Sequence, residues 1–183
     1  MWHSPFKLYL YPVNAIERTE ELLDPANIIE TLRKIDFIGA KLSQNRYATG
    51  SKFVSLLTFM GCSPNIELEP QEKTPFCYIE LITEENMKFF AGINIKAASC
   101  PECKAKITTI DKPSDAFLYC DYCKKALKKS RLNWRKTAFI AQYCIAVGNI
   151  YESEAIPNDQ LLSALETVSQ PKWKYAYIRE AEG

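Results

Sequence analysis

The sequence predicts the α+β class: one small domain with a short cysteine-rich module inserted near residue 100. Three observations carry this. Alternating apolar stretches, the mark of strands, stand near both ends of the chain. Two Asp- or Asn-capped segments between them carry apolar residues at helical spacing. Four of the seven cysteines fall in two Cys-x-x-Cys pairs between positions 100 and 123, too short a span for a domain of its own. With 183 residues, 47% of them hydrophobic, the chain is long enough to build a core without staples. The inserted module therefore reinforces a fold that has other support.

Taken in order, Phe6 to Val13 alternates aromatic and aliphatic side chains and reads as a strand. Asp24-Pro25 is a helix start, with Asp at the cap and Pro in the first turn. Ile28, Ile29, Leu32 and Ile35 follow at helical spacing. Residues 36–50 are mixed, with Asn45 and Gly50 as turn positions. Lys52 to Met60 is a short apolar segment of either type, broken by Gly61-Cys62-Ser63-Pro64. Ile66 to Leu68 and Phe76 to Ile82 read as strands, Glu84 to Phe90 as a short helix, and Ile93 to Ala97 as an alternating lead into the module. Beyond the module, Asn133 is placed to cap a core helix from Trp134 to about Val147. Pro157-Asn158-Asp159 starts another helix, with Leu161, Leu162 and Leu165 facing inward. Trp173, Tyr175 and Tyr177 alternate along a terminal strand. The main domain is thus expected to comprise residues 1–97 and 126–183, with residues 98–125 inserted.

The module reads Cys100-Pro-Glu-Cys103, sixteen residues, then Cys120-Asp-Tyr-Cys123. Two cysteines two residues apart wrap a tight turn with both sulfurs facing one point. Two such turns supply a tetrahedral thiolate set for Zn2+. Ile107 to Thr109 and Phe117 to Tyr119 are expected to form the arms of a hairpin, with Asp111 to Asp115 as its turn. A closed set of four thiolates has no open coordination position, so one structural zinc per chain is the expectation. The segment resembles zinc-ribbon and rubredoxin knuckles, which read Cys-Pro-x-Cys-Gly. Pro101 matches that pattern, while Lys104 and Lys124 stand where the glycines do. This departure argues against an iron electron-transfer site. The chain as a whole is similar to a family of uncharacterised bacterial proteins. That likeness rests on Gly61-Cys-Ser-Pro-Asn-Ile-Glu-Leu-Glu-Pro70, Pro75-Phe-Cys77, the two knuckles, Asn133-Trp-Arg135 and Trp173-Lys-Tyr-Ala-Tyr177. It implies no activity. Gly50-Ser-Lys52 is not a phosphate loop, because position 45 is Asn45 and not glycine.

Charge is unevenly distributed. The net charge is +1, yet residues 100–136 carry ten basic and four acidic side chains. Seven of the thirteen residues 124–136 are cationic and none is acidic. Lys124, Lys125, Lys128, Lys129, Arg131 and Arg135 are candidate phosphate contacts with RNA, DNA or a nucleoprotein, through counterion release. Trp134 and Tyr122 are candidates for stacking on unpaired bases. The plainer reading is also open: a zinc ion with four thiolates carries −2, and Lys104, Lys106, Lys124 and Lys125 are placed to offset it. With the metal counted, the whole chain falls from +1 to −1, which is not a strongly basic profile.

Catalysis has little to draw on. His3 is the sole histidine and stands near the chain start. Cys62 follows an apolar segment in a turn, where it is either a small buried side chain or a reactive thiol. Cys77 and Cys144 lie in apolar runs and are expected in the core. Glu67 and Glu69 share a strand face with no identifiable partner for acid–base work. No apolar run reaches the ~18 residues of a membrane span, and no leader is evident at the start. Reduced thiols point to the cytoplasm. The leading expectation is a cytoplasmic, non-enzymatic zinc-ribbon protein whose ribbon and following basic stretch contact nucleic acid or a nucleoprotein. The alternatives are a protein–protein adaptor docking through the ribbon and the aromatic terminal strand, and a thiol-dependent enzyme using Cys62.

Overall fold

The computed structural model describes residues 4–13, 24–61, 66–69, 74–107 and 117–181. The elements run β1 (Phe6–Pro12), α1 (Pro25–Lys34), β2 (Ile38–Lys41), β3 (Arg46–Thr49), β4 (Leu57–Phe59) and β5 (Tyr78–Ala91). The cysteine module follows, with β6 (Ala98–Ser99), β7 (Lys106–Ile107), β8 (Phe117–Tyr119) and β9 (Ala126–Lys128). β10 (Ala138–Gly148), β11 (Ala155–Pro157), α2 (Asp159–Ser169) and β12 (Trp173–Arg179) complete the fold. It is a small mixed domain, mostly strands with two helices, in keeping with the α+β class. No helix among the described residues is long and apolar enough to cross a membrane.

The frame is a six-stranded sheet in the order β12-β1-β10-β5-β3-β2, antiparallel throughout. Alternation along β1 sends Leu8 and Leu10 to one face and Tyr9 to the other. The first face carries the main core. There Ile28 and Leu32 of α1 and Leu161 and Leu165 of α2 meet Ile79, Ile145 and Val147 of the sheet. Both helices are capped as their sequences predict. Asp24 accepts the Ala26 N–H at 2.9 Å, and Asn158 accepts the Leu161 N–H at 3.0 Å. Gly50 has a steric reason: a Cβ there would lie 2.1 Å from the Asp36 carbonyl oxygen.

Two expected helices are strands. The segment starting at Trp134 opens on a tight turn. Asn133 does cap it, but its Oδ1 accepts the Arg135 N–H at 2.9 Å, and Arg135 and Lys136 take φ of 52° and 61°. Two successive left-handed residues end any right-handed helix. Ala138 onward is then β10, a central strand between β1 and β5 with apolar cover on both faces. Glu84 to Phe90 also belongs to a strand, β5. Its register against β10 slips between Ala141–Lys88 and Tyr143–Thr83, so residues 84–87 bulge opposite Gln142. Gln142 ties the bulge by donating to the Glu85 carbonyl at 3.1 Å, and Lys88 pairs with Glu84 at 2.6 Å. The slip also shifts side-chain parity along β10. Phe139 and Ala141 before it share a face with Cys144 and Ala146 after it.

Smaller differences accompany these. Ile66 to Leu68 and Ile93 to Ala97 form no strand, and the strand expected from Phe76 begins at Tyr78. The mixed stretch 36–50 holds the β2–β3 hairpin, with Asn45 in its turn. Within the module, Ile107 and Phe117–Tyr119 do not pair with each other. β7 pairs with β6 and β8 with β9, so each knuckle has its own short hairpin. The expected turn at Asp111–Asp115 lies outside the described residues, as do His3 and Cys62.

Candidate metal centre

Each hairpin turns through one Cys-x-x-Cys pair, and the two knuckles are built alike. The Cys100 N–H donates to the Ala105 carbonyl at 2.8 Å, and the Lys104 N–H to the Cys100 carbonyl at 3.0 Å. In the second knuckle the Cys120 N–H donates to Lys125 at 3.0 Å and the Lys124 N–H to Cys120 at 2.8 Å. This closure needs left-handed backbone directly after each second cysteine. Lys104 and Lys124 take φ of 64° and 59° there, which explains why knuckles of this type carry glycine at those positions. The lysines bear a cost of roughly 1–2 kcal/mol each for that conformation.

The four sulfurs converge. All lie within 4.8 Å of one another, with Cys100 and Cys123 at 3.8 Å and Cys103 and Cys120 at 3.6 Å. Corners of a tetrahedron with Zn–S bonds near 2.3 Å would stand about 3.8 Å apart. A disulfide needs about 2.05 Å, and all four cysteines are free thiols. Cys100, Cys103, Cys120 and Cys123 are therefore close enough to hold one metal ion. Backbone donors favour the thiolate form at two of them. N–H groups of Cys103 and Glu102 draw the Cys100 thiol down, and those of Cys123 and Tyr122 draw Cys120 down to about 7. The Ala105 N–H favours the Cys103 thiolate too. Desolvation and the three neighbouring sulfurs outweigh it and push Cys103 up to about 11. Four crowded sulfurs cannot all ionise unless a cation shares the site.

The basic stretch is divided by the fold. Lys124, Lys125, Lys128, Arg131 and Arg135 are exposed, while Lys129 and Trp134 are buried. The Lys129 ammonium sits 5.8 Å from the Phe89 ring centre. Trp134 is 4% exposed, packs on Phe89 with centroids 5.2 Å apart, and donates from Nε1 to the Lys129 carbonyl at 3.0 Å. Its ring is committed to the junction between module and sheet and is not presented for stacking. Lys125 bridges the knuckles through an exposed 2.6 Å ion pair with Glu102, and the Cys123 and Cys100 sulfurs also favour its charged form. Lys104 donates from Nζ to the Pro101 carbonyl at 2.8 Å. Lys125 and Lys104 thus serve the knuckles themselves.

On the aromatic face of the module, sequence reasoning named Tyr122 but passed over Phe117 and Tyr119. Phe117 is 49% exposed, Tyr119 68% and Tyr122 80%. Phe117 and Tyr119 stand two apart on β8 and share its outer face, while Leu118 between them is buried. Lys128 pairs directly opposite Phe117 and stands on the same face. The available signal was the alternation Phe-Leu-Tyr itself, in which the two rings lie on the face away from the buried cluster that holds Cys100 and Cys120.

Cys77 and Cys144 are buried, as their apolar settings predict. Desolvation pushes the Cys77 thiol up to about 12 and raises Cys144 further. Neither is a thiolate at neutral pH, so iodoacetamide at pH 7.5 is expected to leave both unmodified in the folded protein. Peptide mass mapping checks this, and modification of either at the rate seen in denaturant would contradict their placement.

Trp173 and Tyr177 of β12 are buried in the main core, and Tyr175 is half-buried. The terminal strand therefore offers little of the aromatic docking surface expected of it. Comparison of the chain with protein-family models, with curated proteins and with solved structures finds no match, so the resemblance to a bacterial family has no support beyond its motif residues.

Proposed function

We propose that residues 98–128 form a structural zinc ribbon whose outer face binds single-stranded nucleic acid. The observation that carries this is the pairing of exposed rings and cations on one small sheet. Phe117 and Tyr119 lie on a single face, Lys128 stands opposite Phe117, and Tyr122 and Lys124 project from the adjoining knuckle. Flat rings two residues apart suit successive unpaired bases, and lysines beside them suit the connecting phosphates. Duplex offers no free base faces, so it is the poorer ligand. Zinc is the favoured ion because four thiolates in a tetrahedral set are its structural site, and a closed set serves shape and not reaction. The thiols favour a reducing compartment, the cytoplasm. The reading is of a binding protein and not an enzyme.

Fluorescence anisotropy with a labelled single-stranded RNA tests it. Binding is expected to weaken with rising salt. Changing both Phe117 and Tyr119 to Ala should weaken it by roughly 30-fold or more, at ~1–3 kcal/mol for each of two stacked bases. Changing Lys124 and Lys128 to Glu should weaken it further and flatten the salt dependence. Undiminished binding by both variants would remove the reading and leave the adaptor alternative, with the same ring face as its docking surface.

A further inference from the structure

A second feature adjoins the ribbon. Between the end of β1, the start of β12 and the segment 128–134 lies a cleft of about 500 Å³. That is within the range of small-molecule sites, roughly 300–1,000 Å³. Among the described residues every charged side chain lining it is cationic: Lys128, Lys129, Arg131, Lys136 and Lys174. Lys129 is fully buried in the wall, while the other four are at exposed positions. Four of the five belong to the basic stretch 124–136, and the fold brings Lys174 of β12 beside them. Cations from two parts of the chain around one cleft mark a site for a multiply charged anion. The remaining walls are aromatic. Tyr11 is held by stacking on Phe139, with centroids 4.1 Å apart and planes 7° from parallel. Tyr175 carries the Lys136 ammonium 4.0 Å from its ring centre, and that ammonium also donates to the Tyr175 hydroxyl. Asn133 adds an amide to the lining.

We infer that this cleft binds a nucleotide bearing two or more phosphates. Lys128, Lys136 and Lys174 take the phosphate chain, and the rings and Asn133 take the nucleoside. A simple oxyanion would make no use of the aromatic walls, and an uncharged nucleoside none of these three lysines. Two sources share this chemistry: a free nucleoside polyphosphate, or the phosphorylated 5′ end of a strand. Lys128 lines the cleft and also stands opposite Phe117 on the ribbon face, so the two surfaces are continuous. The inference does not depend on the ribbon-face reading.

Calorimetric titration of the zinc-loaded full chain with ATP, adenosine and inorganic phosphate tests it. ATP is expected to bind at least about tenfold more tightly than either of the others. Lys136→Glu and Lys174→Glu, both at exposed positions, should each weaken ATP by roughly tenfold or more, about 1.4 kcal/mol. Lys106→Glu, exposed on the module and away from the cleft, should not. Changing Phe117 and Tyr119 to Ala should leave ATP binding intact while weakening the strand. A 5′-triphosphate RNA that displaces ATP better than the same RNA with a 5′ hydroxyl identifies the strand end as the source, and equal displacement identifies the free nucleotide. ATP binding no tighter than adenosine, or unchanged in both Glu variants, overturns the inference. Loss of ATP binding with strand binding retained would overturn it alone and leave the ribbon-face reading standing.

Discussion

Removing the proposed zinc ion is expected to melt the module while the six-stranded sheet stays folded. The reason is the scale of what holds each part. Among the described residues the module has four strands of two or three residues, each paired to one neighbour only. Isolated pairs that short are not stable in water. The module's apolar cluster is small, and Cys100 and Cys120 are themselves members of it. Without the metal those sulfurs become crowded thiols that no longer fix the two knuckles against each other. A structural zinc supplies about 10–16 kcal/mol of apparent binding free energy in small thiolate modules, far more than this cluster can replace. The sheet has a separate core between its first face and the two helices, and no metal ligand contributes to it. Hydrogen exchange after chelation is therefore expected to show lost protection at the Cys100, Lys104, Cys120 and Lys124 amides. Protection should persist at Leu8, Leu10 and Ile145. Changing Cys103 and Cys123 to Ser should reproduce that pattern and abolish the one equivalent of zinc that elemental analysis of the unmodified chain is expected to find. Full protection of the module in the chelated protein would show that the metal is dispensable to it.

The convergence of Cys100, Cys103, Cys120 and Cys123 was legible in the sequence because its signal is local. Cys-x-x-Cys fixes a turn within four residues, and the second copy needs only to be within reach. The capped helices were legible for the same reason: Asp24-Pro25 and Asn158-Asp159 state their starts chemically. β10 was not. Its run from Ala138 to Val147 is apolar at almost every position, so its periodicity is neither 2 nor 3.6. What makes it a strand lies elsewhere, in the β1 and β5 edges that receive it and in the left-handed pair Arg135–Lys136. Glu84 to Lys88 misled differently. Its residue types suit a helix, and it keeps a Glu–Lys pair four apart, but a strand bulge accommodates both. The basic stretch shows the limit of reading charge along a chain. Lys128 and Lys129 are adjacent, yet Lys128 ends β9 exposed while Lys129 opens the 3-10 turn that follows and is buried. The cleft was signalled only in part: four of its cations lie in the basic stretch, while Tyr11 and Lys174 join them only in the fold.

Trp134→Ala is expected to destabilise the protein by about 3–5 kcal/mol, the cost of emptying a buried aromatic site. In a chain of this length that lowers the melting temperature by on the order of 10 °C. Trp134 is the largest residue of the cluster beneath the module, and its ring reaches Phe89 on the bulged half of β5. Its Nε1–H donates to the Lys129 carbonyl, which helps to fix the turn that carries the buried Lys129 side chain. Removing the indole leaves that carbonyl with the Leu132 N–H alone, at 3.2 Å, and opens a void where module and sheet meet. Trp134→Phe separates the two effects. It keeps most of the apolar contact with Phe89 and loses the hydrogen bond, so its cost should fall between wild type and Ala. The alternative role, stacking on a base, predicts the reverse pattern: an unchanged melting temperature with a loss of nucleic-acid affinity. Measured well below the melting transition, Trp134→Ala should retain its affinity for single-stranded RNA if the binding surface is the Phe117–Tyr119 face. An unchanged melting temperature joined to lost affinity would return Trp134 to the surface and to the stacking role.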